Sequence, residues 1–211
     1  MPLRRTATLL AAIVTSFPAC SPRGPLVAFL GDSLTSGWRL SRSLAYPALV
    51  ADALRRKGRP IRALNAGVSG DTVARGLERL PAVLRSRPDV LVVALGINDG
   101  LHGLPPETTE DGLRRILEQA RAARVRVLLC GLRVPPRHGA EHARRFGEIY
   151  PRLAAEYRLP FVPFLLEGVA GVPTLNERDG LHPTAEGQKR LAENVRPLLE
   201  LVLAELEASH R

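Results

Sequence analysis

Only two cysteines, Cys20 and Cys130, occur in 211 residues. A disulfide framework is thereby excluded, and the fold has to be held by an apolar core. With 45% apolar residues the chain has enough material for one, which also excludes a disordered polymer. Cys130 falls inside the apolar run 125–132 and reads as a small buried hydrophobe. Lysine is nearly missing as well: 2 Lys stand against 28 Arg, so arginine carries almost all of the positive side of a net charge of +9. An excess of that sign suits an anionic partner, but no basic block is interleaved with aromatics and no nucleic-acid-binding module is present. No nucleic-acid partner is expected, and the arginines read as a solvated surface. Internal repeats and low-complexity linkers are absent, and the length fits one domain of roughly 100–200 residues. Neither an H-E-x-x-H sequence nor a G-x-S-x-G elbow occurs. The two nearby histidines His138 and His142 are not read as a metal site, and the second absence sets the chain apart from the α/β-hydrolases.

What is present begins with a leader. Residues 1–5 are short and basic, and residues 6–17 are apolar but too few to cross a bilayer, which takes ~20. Pro18, Ala19 and Cys20 follow, then a polar tether rich in Pro and Gly over residues 20–25. That order describes an export signal over 1–19, and a periplasmic location is expected. Cys20 directly after Ala19 resembles a bacterial lipoprotein cleavage box. Cys20 is therefore expected at the mature N-terminus, carrying lipid and attaching the protein to a membrane, rather than bridged to Cys130.

Beyond residue 26 the sequence alternates. Apolar runs rich in Val, Ile and Leu lie at 26–30, 61–64, 90–95, 127–129 and 161–164. Between and after them, stretches of helical period cover 44–57, 73–85, 107–123, 141–157 and 184–208. Strand and helix alternating five times predict an α/β protein: three layers, α/β/α, around a five-stranded parallel sheet in the flavodoxin-like order 2-1-3-4-5, over residues 26–208. In such sheets ligands sit beyond the carboxyl ends of the strands.

Polar clusters occupy those ends. Gly31-Asp32-Ser33-Leu34 follows the first strand, Asn65 through Asp71 the second, and Gly96-Ile97-Asn98-Asp99-Gly100 the third; Asp179-Gly180-Leu181-His182-Pro183 precedes the last helix. A serine hydroxyl attacks only when a base takes its proton, and the base is most often a histidine held by a carboxylate. Asp179 and His182, three residues apart, can share one turn, with Pro183 opening the helix behind them. The developing oxyanion needs donors. The backbone N–H groups of Ser33 and Gly70 and the amide of Asn98 are the candidates. Taken singly, each piece has a plainer use: Ser33 or Asp71 as a helix cap, Asn98-Asp99-Gly100 as a turn. His102 is placed near the entrance, His138, His142 and His210 on the surface. The stretch 99–106, with Gly100 and Gly103, reads as a flexing wall of an acyl pocket, and Leu101 and Leu104 favour acyl chains.

GDSL at 31–34, SGD at 69–71, GIND at 96–99 and DGLHP at 179–183 together resemble the four blocks of the GDSL, or SGNH, hydrolases. Within that superfamily the chain is similar to the periplasmic thioesterase I/arylesterase/lysophospholipase group, through AYPALV, GLERLPAVL, NDGLHGLPPE and IYPRLA, over residues 26–203. The resemblance implies Ser33 as nucleophile, Asp179 and His182 as the rest of the triad, and Ser33, Gly70 and Asn98 as the oxyanion hole. It implies a small-molecule ester, thioester or acyl-lipid substrate, no metal or organic cofactor, and a monomer. Ile97 departs from the group, which usually has a second glycine there. Two other readings compete: a carbohydrate O-acetyl esterase with the same triad, and a non-catalytic basic protein binding anionic lipid. The second would not require Ser33, Asp179 and His182 together.

Overall fold

The computed structural model describes residues 24–209. The expected leader 1–19, Cys20 and most of the tether lie outside them. Five parallel strands, β1 (Leu26–Gly31), β2 (Arg62–Gly67), β3 (Val90–Ala94), β4 (Arg126–Cys130) and β5 (Phe161–Val162), form one sheet in the order β2-β1-β3-β4-β5. Every residue of β1 and β3 is buried, as continuous apolar runs covered on both faces must be. Helices α2 (Tyr46–Arg56) and α7 (Ala185–Ser209) pack on each other, as do α3 (Val73–Arg85), α5 (Pro106–Ala122) and α6 (Ala140–Tyr157) in sequence. The expected three-layer architecture and strand order are both present. Cys130 is buried, with its thiol pushed up to about 12 by burial; Cys20 lies outside the described residues.

The differences from expectation have local causes. β5 has two residues rather than four, because Pro160 and Pro163 flank it and Pro163 has no N–H for the ladder. β2 extends through Asn65, Ala66 and Gly67, whose pairing with β1 continues to Gly31. α2 starts at Tyr46, with Pro47 in its first turn, after a separate 3-10 turn at Arg42–Leu44. Two short helices are additional: α1 (Ser33–Ser36) directly after β1 and α4 (Ile97–Leu101) after β3. α1 lies so close to the end of β2 that a Cβ on Gly67 would come within 2.3 Å of the Ser36 nitrogen.

Gln188 of α7, 1% exposed, joins the elements that follow β1. Its Oε1 accepts from the Tyr46 N–H at 2.8 Å, satisfying one of the orphan donors at the start of α2, and its Nε2 donates to the Leu34 carbonyl at 3.0 Å. At the other end of the sheet, Gly24 and Pro25 border the same shallow recess as Leu203 and Glu207. Arg126, at the start of β4, donates to Ser209 Oγ at 2.9 Å. The chain thus enters β1 and leaves α7 at the end opposite the strands' carboxyl termini.

Gln188→Leu removes both bonds and strands two buried backbone groups. It is expected to destabilise the fold by about 2–4 kcal/mol, read as a lower urea midpoint at unchanged m-value. A midpoint equal to that of the wild type would mean the clamp contributes nothing.

Candidate active site

Ser33 is the first residue of α1, set by the abrupt end of β1. Asp32 caps that helix: its Oδ1 accepts from the Leu34 N–H at 3.0 Å. Ser33 is buried at the carboxyl edge of the sheet. His182 Nε2 lies 3.0 Å from Ser33 Oγ, and His182 Nδ1 lies 2.7 Å from Asp179 Oδ2. With its Nδ1–H donating to the carboxylate, the imidazole leaves Nε2 free to accept the Ser33 proton. The three residues expected as a triad therefore lie in one hydrogen-bonded line.

A small hairpin holds Asp179 and His182. Asn176 and Pro183 form an antiparallel bridge, and the Glu177 N–H donates to the His182 carbonyl at 2.7 Å. Buried Asn176 anchors the base of this hairpin by donating to the Val169 and Val172 carbonyls, at 2.6 and 2.9 Å. Pro183 belongs to this bridge and does not open α7; the helix starts at Ala185, with Thr184 Oγ1 accepting from the Gly187 N–H. Burial raises the Asp179 carboxyl, but donation from the His182 ring and from the His182 and Leu181 backbone N–H groups outweighs it, lowering the group to about 2. Asp179 is thus ionised at neutral pH.

The residues expected as oxyanion donors flank Ser33. The Ser33 N–H, first in its helix, and the Gly70 N–H have no acceptor among the described residues. Asn98, in α4, donates one amide hydrogen to the Asp71 carbonyl at 2.8 Å and keeps the other. Asn98 lines the same cavity as Ser33 and His182, whereas Gly70 is exposed and outside its wall. Asp71 is no helix cap. Thr72 caps α3, and the Asp71 carboxylate pairs with Arg79 Nε at 2.5 Å. Arg79 also donates to the Ala66 and Gly31 carbonyls, at 2.5 and 2.7 Å, tying together the ends of β1 and β2.

The cavity beside Ser33 measures about 610 Å³ and is walled mainly by apolar side chains: Leu34, Ile97, Leu101, Val134, Phe164 and Leu166. Ile97, the departure from the family pattern, adds to this wall, while Gly96 before it takes the left-handed backbone (φ 122°) that the strand end requires. Leu101 lines the cavity but Leu104 does not, and His102 is exposed and outside the wall. The stretch read as a flexing loop is a pinned element. Residues 97–101 are helical, buried Gly100 packs tightly, and His138 Nε2 holds the Leu101 carbonyl at 2.9 Å. His142 is half-buried rather than on the surface. His210 lies outside the described residues.

Residues 29–190 match the model of the GDSL-like lipase/acylhydrolase family. The chain belongs to that family. It is 41% identical over 175 residues to esterase TesA of Pseudomonas aeruginosa, covering 82% of this chain and 87% of that protein. It is 42% identical over 165 residues to thioesterase 1/protease 1/lysophospholipase L1 of Escherichia coli strain K12, covering 78% of each. A solved structure of TesA superimposes with a TM-score of 0.80 at 39% identity, covering 84% of this chain and 99% of that one. Membership makes this protein a GDSL-type serine ester hydrolase.

The hydrolase site also uses residues that sequence reasoning passed over. Trp38 stacks on His182, Arg79 ties the strand ends, and Asp99 accepts from the Val73 N–H at 2.9 Å. Each acts across a fold-dependent distance that no local spacing announces. Asp32, in the first motif a neighbour of Ser33, is wholly buried, and its Oδ2 has no hydrogen-bond partner among the described residues. Burial raises its carboxyl to about 7; the charges of Asp71 and Asp99 add to the rise and the Leu34 N–H opposes it.

A pH dependence follows. Between its ordinary value of 3.8 and about 7, Asp32 is protonated in the folded protein and ionised in the unfolded one. Its contribution therefore makes stability fall as pH rises from about 4 to about 7, by up to about 4 kcal/mol, with no further change above. Asp32→Asn keeps a capping oxygen and carries no charge. Relative to wild type, its urea stability is expected to gain steadily from pH 4 to pH 7 and then stay level. Parallel curves for the two proteins would show that Asp32 does not titrate in that window.

Proposed function

We propose that this GDSL hydrolase cleaves acyl esters and thioesters through an acyl-enzyme on Ser33, with His182 as base, Asp179 as its orienting carboxylate, and the Ser33 and Gly70 N–H groups and the Asn98 amide as oxyanion donors. One observation carries the reading: the unbroken line from Ser33 Oγ through both nitrogens of His182 to Asp179 Oδ2. Ser33 Oγ attacks the acyl carbon as its proton passes to Nε2, and the carbonyl π pair moves onto oxygen. Preorganised donors at that oxygen stabilise the charge without reorganising. Collapse expels the alkoxide or thiolate, which takes the Nε2 proton. Water then attacks the acyl-enzyme, giving its proton to Nε2. Collapse of this second intermediate returns that proton to Ser33 Oγ and releases the acid. Asp179, ionised throughout, keeps the imidazole in the required tautomer and stabilises its charged form.

The apolar wall supports acyl chains over acetylated sugars, since an acetyl group would leave most of a 610 Å³ cavity unfilled. The names esterase TesA and thioesterase 1/lysophospholipase L1 borne by the relatives accord with that choice.

Ser33→Ala is expected to abolish turnover of p-nitrophenyl esters while leaving the circular dichroism spectrum unchanged. A serine-directed phosphonate should label the wild type at Ser33, and rates should rise from acetate toward longer acyl esters. Retained turnover in Ser33→Ala would sink the acyl-enzyme, whereas a preference for acetylated xylose oligomers would turn the substrate reading to carbohydrate.

We further propose, from the sequence of residues 1–25, that the protein is exported, loses residues 1–19 and carries lipid on Cys20. At ~0.8 kcal/mol per buried CH₂, two or more acyl chains make such an anchor effectively permanent. Mass spectrometry of the mature N-terminal peptide is expected to show acylated Cys20. An unmodified Cys20, or a terminus beyond it, would rule out the anchor.

A further inference from the structure

We infer that Trp38 is a positioning residue for His182, fixing the plane of the imidazole and favouring the cation it becomes. The inference rests on the reading of His182 as the base. The indole and imidazole rings are stacked, with centroids 4.1 Å apart and planes 21° from parallel. The Arg39 guanidinium carbon stands 4.2 Å from the indole centroid. Two groups cannot share one face of a ring at that distance, so the order is guanidinium, indole, imidazole.

The backbone builds this stack on the nucleophile's own helix. α1 ends at left-handed Gly37, and the Trp38 N–H donates to the Ser33 carbonyl at 3.2 Å. Arg39 takes a left-handed φ of 60°, unusual for a side chain with a Cβ, and the Leu40 N–H closes the turn on the Gly37 carbonyl. Trp38 and His182 are 144 residues apart (182 minus 38), so the contact exists only in the folded site. Trp38 does not border the acyl cavity. It covers His182 without occupying the space open to substrate.

The Asp179 hydrogen bond fixes one atom of the imidazole and leaves the ring able to rock about the Nδ1···Oδ2 line. Asp179 is itself 35% exposed, on a hairpin at the surface. A face-to-face aromatic contact removes that freedom and keeps Nε2 on Ser33 Oγ. When Nε2 receives the Ser33 proton, the electron-rich face of the indole meets a cation. Arg39 holds the indole from the other side. Because Trp38 touches the base and not the substrate cavity, its loss belongs in kcat.

Trp38 is the single tryptophan of the chain, so its emission reports the stack directly, and an imidazolium quenches a neighbouring indole more than neutral imidazole does. Three measurements on the full chain test the inference. Trp38→Ala is expected to lower kcat for p-nitrophenyl butyrate about tenfold with KM within about twofold, and Trp38→Phe to recover most of the loss. Wild-type emission should fall as pH drops through the range where kcat/KM declines on the acid side, and His182→Gln should abolish that step. Equal kcat in Trp38→Ala, a loss confined to KM, or an emission step that survives in His182→Gln would each overturn the inference. Should Trp38→Ala fail to fold, Trp38→Phe and the wild-type titration still decide it. Loss of the base reading is separable: it would appear as activity surviving in Ser33→Ala or His182→Gln, whatever Trp38 does.

Discussion

The guanidinium of Arg79 is the contact on which the carboxyl edge of this sheet depends. Its three nitrogens reach the Gly31 carbonyl at the end of β1, the Ala66 carbonyl near the end of β2 and the carboxylate of Asp71 in the loop beyond. Both carbonyls lie at the carboxyl ends of their strands, and that of Gly31 also accepts from the Val68 N–H at 3.1 Å. One planar fork bonds both and uses its third nitrogen to hold the loop. Ser33 leaves from the first of those strand ends, Gly70 precedes Asp71, and Asn98 donates to the Asp71 carbonyl. Ser33 and the proposed oxyanion donors are thereby referred to one side chain that lies outside the cavity wall.

Three aspartates near Ser33 show how far environment decides the state of one residue type. Asp179, on a half-open hairpin with three donors, is held at about 2. Asp32, wholly buried with a single backbone donor and an orphan oxygen, is pushed to about 7. Asp99, buried and bonded to the Val73 N–H, is raised as well, by desolvation. Only the first is kept charged by its surroundings, and it is the one that faces the imidazole. Burial shifts Asp32 and Asp99 toward the neutral form, which lessens the like charge beside Ser33.

Much of this was legible in the linear sequence, because the relevant signals are local. Apolar runs give strands, helical period gives the layers between them, and alternation gives a parallel sheet whose order places residues 31–33, 65–71, 96–100 and 179–183 at one edge. Asp179 and His182 were readable as a pair because three residues of separation fit one turn. Illegible parts depend on distance through space. Gln188 meets Tyr46 and Leu34, Arg79 meets Gly31, and Trp38 meets His182 only once the fold exists. The short helices α1 and α4 carry too few residues to announce a period. The shortness of β5 was written in Pro160 and Pro163, but an apolar run obscured it.

The first and last described residues, Gly24 before β1 and Ser209 at the end of α7, sit at the sheet's amino end. β1 spans six residues, so the first of them stands on the order of 20 Å from the serine. This polarity acts as a built-in orientation. A protein immobilised on a bead, fused to a carrier or displayed on a particle through Gly24 or Ser209 would turn its catalytic mouth outward. Neither attachment would cross the path by which ester enters or acid leaves.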